Sequence, residues 1–367
     1  MKVLIIHVGT PSNPENYPLE HLCEEPTLTH GMKYFRHYTI VNNMQTRESL
    51  KMPGIGVDHI YFTGRKNPYN CLKASLKIRS LVKENNYDLV NQYWGGLSSL
   101  FASVLCPCPY VVSLLGSDLY GQYRPNGSKT LKGRMLSLFS QLTGIFSRGT
   151  IVMSEKMKQK LWPVNRQKAV AIPEGISKGI FYPINIVVAR KRLGWDLEKP
   201  VVLFFPSDAF VKNMPLAKSA FHIVKEQIPH AELVLVHGVA HEELVWYYNA
   251  ADLLLHTSYH EGSNNSIKEA LACNLPVVSV DVGDAKERLA KVYPSAVVRN
   301  FNPHYPALAM LEILRRPQRS NGSAFVHEVE LPHIASRIIA YYKTLIKKPV
   351  LNTETKAKKI LNNTTYQ

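Results

Sequence analysis

The chain has 367 residues, 45% of them hydrophobic and 20% charged, with a formal net charge of +16. That length and balance fit two folded domains and exclude both a disordered chain and a mini-protein that depends on disulfides. The five cysteines (Cys23, Cys71, Cys106, Cys108 and Cys273) are odd in number and form no C-x-x-C, which argues against a zinc site and for free thiols in a reducing compartment.

Met1–Ile6 is too short an apolar run for a signal peptide and reads as a first buried strand, Lys2–Val8. Helical spacing follows over Asn70–Asn86, then a strand at Leu89–Gln92, a helix at Leu97–Leu105, a strand at Tyr110–Leu115, a helix at Thr130–Phe146 and a strand at Thr150–Met153. Pro107 and Pro109 break the most membrane-like stretch, Leu97–Leu115, so no transmembrane span is expected. A cytoplasmic location is the expectation.

A turn-rich segment, Ile172–Ile186, interrupts the alternation, and a second βα series begins at Pro200–Phe205. Helix Leu216–Gln227, strand Ala231–His237, helix Glu242–Ala250, strand Asp252–His256, helix Asn265–Cys273 and strand Pro276–Val280 continue it. Alternation of this kind predicts an α/β fold with two doubly wound, Rossmann-like domains facing each other across a cleft. The divisions are 1–185, an N-terminal domain; 186–330, a C-terminal domain; 331–346, a helix that is a candidate to pack back on the N-terminal domain; and 347–367, a basic tail.

The richest loop-to-helix junction is His260-Glu-Gly-Ser-Asn-Asn-Ser-Ile-Lys-Glu269. Small residues there let backbone N–H groups approach a ligand, and a helix start favours an anion such as a diphosphate. Ser266-x-x-Glu269 also fits a capping box, under which Glu269 is purely structural.

The segment Tyr248–Arg288, with Glu261 and Glu269 separated as E-x7-E and followed by Ala270–Val278 and Asp281-Val-Gly-Asp284, resembles the retaining glycosyltransferases of family 4 (glycosyl transferases group 1), which have the GT-B fold. Ile172-Pro-Glu-Gly-Ile176 is similar to that family's interdomain loop, with Glu174 in place of Asn; Leu114–Asp118 resembles its N-domain loop, and Phe205–Ala217 its phosphate-binding segment. The likeness is thin before Asp88 and after Leu289. Two positions depart from the family pattern: Ser207 stands where a phosphate-binding Arg is usual, and Leu115 where a sugar-contacting His is usual.

The resemblance implies a retaining, metal-independent hexosyl transferase that takes a nucleotide sugar as substrate and uses no cofactor. Lys212 and Glu261 would be catalytic. Lys212, Glu261, Gly262, Ser263, Asn264, Asn265, Ser266 and Glu269 would bind the donor, with Glu261 on the sugar and Glu269 on the ribose. Gly9 and Asp118 are acceptor-side candidates. No separate base is evident, so a leaving-phosphate oxygen would take the acceptor proton. The acceptor is expected to be a glycan or lipid-linked glycan, in cell-surface polysaccharide biosynthesis.

Residues 121–168 hold ten Lys/Arg and one acid, Glu155, a bias that points to an anionic partner. An anionic membrane surface is the expected partner, with peripheral attachment to the inner face of the cell membrane. Charge is expected to dominate it, because many apolar residues of helix Thr130–Phe146 are expected to fill the N-domain core. No nucleic-acid motif accompanies the charge, and no nucleic-acid partner is expected. A glycoside hydrolase with paired carboxylates and a nucleic-acid-binding module are the competing classes. His7–Asn13 lacks G-x-G-x-x-G, which disfavours a dinucleotide-dependent oxidoreductase.

Overall fold

A computed structural model of the chain describes residues 2–7, 56–59, 68–124, 127–206 and 210–346. Gly9, Ser207 and the tail 347–367 lie outside the described residues. The first half is a parallel six-stranded sheet in the order β2-β1-β3-β4-β5-β6, made of β1 Lys2–His7, β2 Gly56–His59, β3 Leu89–Tyr93, β4 Tyr110–Leu114, β5 Gly149–Val152 and β6 Ala169–Ala171. The second is a parallel five-stranded sheet in the order β11-β10-β9-β7-β8, made of β7 Val201–Phe204, β8 Glu232–Leu235, β9 Leu253–His256, β10 Val277–Val280 and β11 Ala296–Val298.

Every residue of β3, β4, β5, β7, β9 and β10 is buried. Helices on both faces of a parallel sheet require this, and it is why these strands read as continuous apolar runs. On β7 the alternation is explicit: Val201 and Leu203 join the core on one face, Val202 and Phe204 the core on the other.

Two features differ from the chain order. Ile176 and Phe181, in the turn-rich connection, are fully buried in the core of the second half, so packing passes to that half well before residue 185. The final helix, Leu331–Ile346, returns to the first half. Its Ile334, Ile338 and Tyr342 join that core, and Tyr342 Oη accepts from Asn91 Nδ2 of β3 at 2.5 Å. Tyr341 Oη accepts from Thr150 N at 3.1 Å and donates to Lys168 O at 2.6 Å.

Candidate active site

In each half the chain reverses direction along the sheet at one point, between β1 and β3 and between β7 and β9. The loops leaving the carboxyl ends of strands beside such a point form a crevice. In the second half these are the loops after β7 and β9, and they carry Lys212 and Glu261. Thr257 Oγ1 donates to Lys212 O at 2.9 Å, and Tyr259 N donates to Val211 O at 2.8 Å, which fixes the loops to each other. Lys212 Nζ donates to Glu261 Oε1 at 2.7 Å.

Glu261 is built into a wider cluster. Ser258 Oγ donates to its Oε1 at 2.8 Å, and His256 Nε2 lies 3.5 Å from the same oxygen. His256 Nδ1 lies 3.0 Å from Ser279 Oγ, which orients the ring. Burial opposes ionisation of Glu261, but the His256 ring and the Lys212 ammonium outweigh it and hold the carboxyl well below the usual range. Burial likewise pushes the His256 imidazole down, against the pull of Glu261.

Glu269 belongs to a separate cluster. Its Oε2 accepts from Tyr248 Oη at 2.8 Å and its Oε1 lies 3.1 Å from His241 Nε2. The hydrogen bond to Glu269 raises the His241 pKa, in spite of partial burial. The capping-box alternative for Glu269 is overturned. Helix Asn265–Ala272 is capped by Asn264, whose Oδ1 accepts from Ile267 N at 3.2 Å, and Glu269 takes no part in the cap. Ser266 sits beside the Tyr248 hydroxyl. Since Glu261 is held ionised and the two carboxylates sit in different networks, the pair does not resemble the raised acid and nearby base of a glycoside hydrolase.

The rest of the loop joins the two halves. Asn265 Nδ2 donates to Glu174 Oε2 at 2.9 Å, and the fully buried Lys268 donates its Nζ to Glu174 O at 2.6 Å. The Asn265 Oδ1 atom is buried without a hydrogen-bond partner among the described residues. Ser263 Oγ donates to Asp284 Oδ2 at 2.9 Å, and Arg288 Nε holds the same oxygen. A Cβ at Gly262 would stand 2.2 Å from Leu115 O and 3.0 Å from the Met153 side chain, so only glycine lets the loop 260–269 approach the loops after β4 and β5 this closely. Lys156 and Asp281 pair across the same junction, and the His260 ring lies 5.1 Å from both Tyr120 and Tyr123.

Asp118 is fully buried, and its carboxylate accepts backbone N–H groups from Gly95, Leu115, Gly116 and Leu119 at 2.8–3.1 Å. It therefore shapes the loop that meets Gly262, and its oxygens are spoken for by the backbone. Sequence reasoning missed His241, Tyr248, His256 and Ser258. The only available signal was a polar His256-Thr-Ser258 run closing an apolar strand.

Residues 208–316 match the family described as Glycosyl transferases group 1. The chain is matched by this family over 109 of its 367 residues. It is 26% identical over 215 residues to a D-inositol 3-phosphate glycosyltransferase of Segniliparus rotundus, covering 49% of this chain and 48% of that one. It is also 26% identical over 252 residues to a putative teichuronic acid biosynthesis glycosyltransferase, TuaC, of Bacillus subtilis, covering 59% of each. The chain thus spans about half to three fifths of the length of these relatives.

Among solved structures, the sucrose-phosphate synthase of Thermosynechococcus elongatus superposes with a TM-score of 0.71 at 18% identity, covering 94% of this chain and 98% of that one. Anabaena Alr3699/HepE in complex with UDP does so with 0.64 at 15% identity, covering 94% and 100%. At that identity the likeness concerns the fold, which is GT-B, and the family match at residues 208–316 lies in its second half. Among the described residues no helix is long and apolar enough to cross a membrane, and no group of three or more His, Cys, Asp or Glu could hold a metal ion.

Proposed function

We propose that this protein is a retaining glycosyltransferase that moves a hexosyl group from a nucleotide sugar to a glycan or lipid-linked acceptor, without a metal, in the making of cell-surface polysaccharide. The observation that carries the reading is the meeting of Lys212 with Glu261 where the second sheet changes direction, beside the capped start of helix Asn265–Ala272. A diphosphate needs a cation and free N–H groups at that place. The UDP bound by Anabaena HepE, a protein of the same fold, supports a nucleoside diphosphate as the leaving group.

In this reading Lys212 and the helix start stabilise charge on the departing diphosphate, usually the largest catalytic contribution. Glu261, kept ionised by Lys212 and His256, accepts hydrogen bonds from donor sugar hydroxyls, flanked by the backbone of Gly262–Asn265. Glu269 accepts from the ribose, while Tyr248 and His241 hold its carboxylate in place. Asn265 Oδ1 offers one more buried acceptor. The acceptor reaches the same face from the first half, and a leaving-phosphate oxygen takes its proton. Lys156–Asp281 and the Gly262 contact keep the halves together and water out. The basic segment 121–168 attaches the protein peripherally to an anionic membrane surface.

A panel of nucleotide sugars tests this directly, read by release of the nucleoside diphosphate and by the anomeric configuration of the product. Donor-dependent release with retained configuration is the expected result. Sugar release from a glycan with no nucleotide present would replace the reading with hydrolysis.

A further inference from the structure

Helix Leu131–Phe146 sits on the body of the protein the wrong way round for a core helix. Its buried residues are Gly133, Ser140, Gln141, Thr143 and Gly144. A Cβ on Gly133 would fall 2.3 Å from Gln122 N, and one on Gly144 2.7 Å from the Asn165 side chain. Ser137 Oγ donates to Leu119 O at 2.7 Å, and Ser140 Oγ to Asp118 O at 2.8 Å. The inward face is therefore small, polar and close-packed. Five large apolar residues point out: Leu131 is 72% exposed, Phe146 55%, and Met135, Leu138 and Ile145 are exposed between them, while Leu136, Phe139 and Leu142 are half-buried. The expectation that many of the helix's apolar residues fill the core fails for Leu131, Met135, Leu138 and Phe146, because the small face makes the closest contact.

Leu131, Met135, Leu138 and Ile145 recur at helical spacing and form one continuous stripe. Lys132, Arg134 and Arg148 are exposed beside it, and the helix contains no acidic residue. A stripe of this kind bordered only by cations fits the boundary between headgroups and acyl chains of an anionic bilayer. A second copy of the same face would bring like charges together, so charge complementarity favours lipid over self-association.

The placement is also functional. The helix follows Lys129, whose ammonium lies 5.6 Å from the Tyr123 ring centroid, and Tyr123 in turn touches His260 at the head of the donor loop. The stripe thus begins beside the mouth of the cleft.

We propose that helix Leu131–Phe146 docks the protein by inserting its apolar stripe into the interface of an anionic phospholipid bilayer, with Lys132, Arg134 and Arg148 on the headgroups. The proposal deepens the membrane part of the proposed function and rests on that part alone, since vesicle binding needs neither donor nor acceptor. The test is flotation of the full chain with vesicles of phosphatidylcholine alone or mixed with phosphatidylglycerol. Binding is expected only to the anionic vesicles. Lys132→Gln with Arg134→Gln is expected to weaken it about thirtyfold, at about fivefold per charge. Leu131→Ser with Leu138→Ser is expected to weaken it about tenfold or more, with melting temperature kept as the control on folding.

Met135→Trp, which leaves both the stripe and the charges in place, is expected to blue-shift its emission on anionic vesicles and to be quenched by brominated lipid. Binding to anionic vesicles without that shift, and without loss in the double serine variant, would overturn insertion while leaving attachment by charge intact. No binding to any vesicle would overturn both. A dimer in solution that Leu131→Ser with Leu138→Ser converts to monomer would assign the stripe to self-association instead.

Discussion

Lys212 and Glu261 meet at 2.7 Å although 49 residues separate them in the chain. Their side chains keep 25% and 17% of their exposure, so the pair is neither a solvated surface bridge nor sealed in the core. The Lys212 ammonium helps to hold the Glu261 carboxyl ionised, and in the proposed function both face the place where a diphosphate and a sugar would join. Removing the cation should therefore have two effects. Lys212→Met should lower turnover of the donor by about a hundredfold or more, the range for losing a transition-state donor. It should also cost about 1–3 kcal/mol of stability, because a charged acceptor loses its partner. The double variant Lys212→Met with Glu261→Gln should recover part of the stability and none of the turnover. Steady-state kinetics and thermal melting of the three variants check this.

Glu269 offers a separate test, because it is not the helix cap. Glu269→Ala should weaken nucleotide binding by about one to two powers of ten, the equivalent of about 1.5–3 kcal/mol for a hydrogen bond to a charged group. Asn264→Ala should do the opposite: about 1 kcal/mol of stability lost with the loss of a cap, and nucleotide affinity changed much less. Calorimetric titration and melting of both variants separate the roles. Unaltered affinity in Glu269→Ala would leave that carboxylate a purely structural partner of Tyr248 and His241.

The parallel sheets, the pairing of each strand with the next helix and the loop 260–269 were legible because each depends on local pattern: apolar runs, turn residues and an acidic spacing. What was not legible depends on distant segments meeting. Nothing around Tyr342 announces that its hydroxyl reaches Asn91, 251 residues away. Nothing around Gly262 announces that Leu115 O occupies the space where its Cβ would stand. Helix Leu131–Phe146 misled in the other direction. Its apolar residues have the spacing of a core face, yet Gly133, Ser140, Gln141, Thr143 and Gly144 face inward and Leu131, Met135 and Leu138 face out.

The contact at Gly262 predicts a change in the arrangement of the two halves. Gly262→Ala places a methyl 2.2 Å from a backbone carbonyl, which cannot swing away as a side chain could. The loop 260–269 or the first half must shift, so turnover should fall by more than about tenfold, as small misplacements at a reacting site commonly cause. Small-angle scattering should show a more open particle than the wild type. A wild-type scattering curve with wild-type turnover would mean that the loop yields without consequence.

The final helix should be indispensable to the first half. Tyr342 is fully buried there, so Tyr342→Ala should cost about 3–5 kcal/mol, the range for deleting a large aromatic from a core. Truncation after Glu330 should expose the β3 face and unfold the first half. Hydrogen exchange of the truncated chain checks this, with lost protection expected in β3 to β5 and retained protection in β7 to β10.

His241 gives the pH dependence. Its pKa is raised in the folded protein by the hydrogen bond to Glu269, so the folded state binds a proton more tightly than the unfolded chain does. The pair's contribution to stability is then complete below the unfolded value, about 6.5 for a histidine. It is lost as pH rises through the higher folded value. The melting temperature should accordingly decline as pH rises above about 6.5 by a component that His241→Gln removes. Nucleotide binding should share the trend only weakly, because Tyr248 continues to hold Glu269 when the imidazole is neutral. Melting curves of the wild type and His241→Gln across that range decide it. Equal slopes in the two proteins would mean that the imidazole titrates without any link to folding.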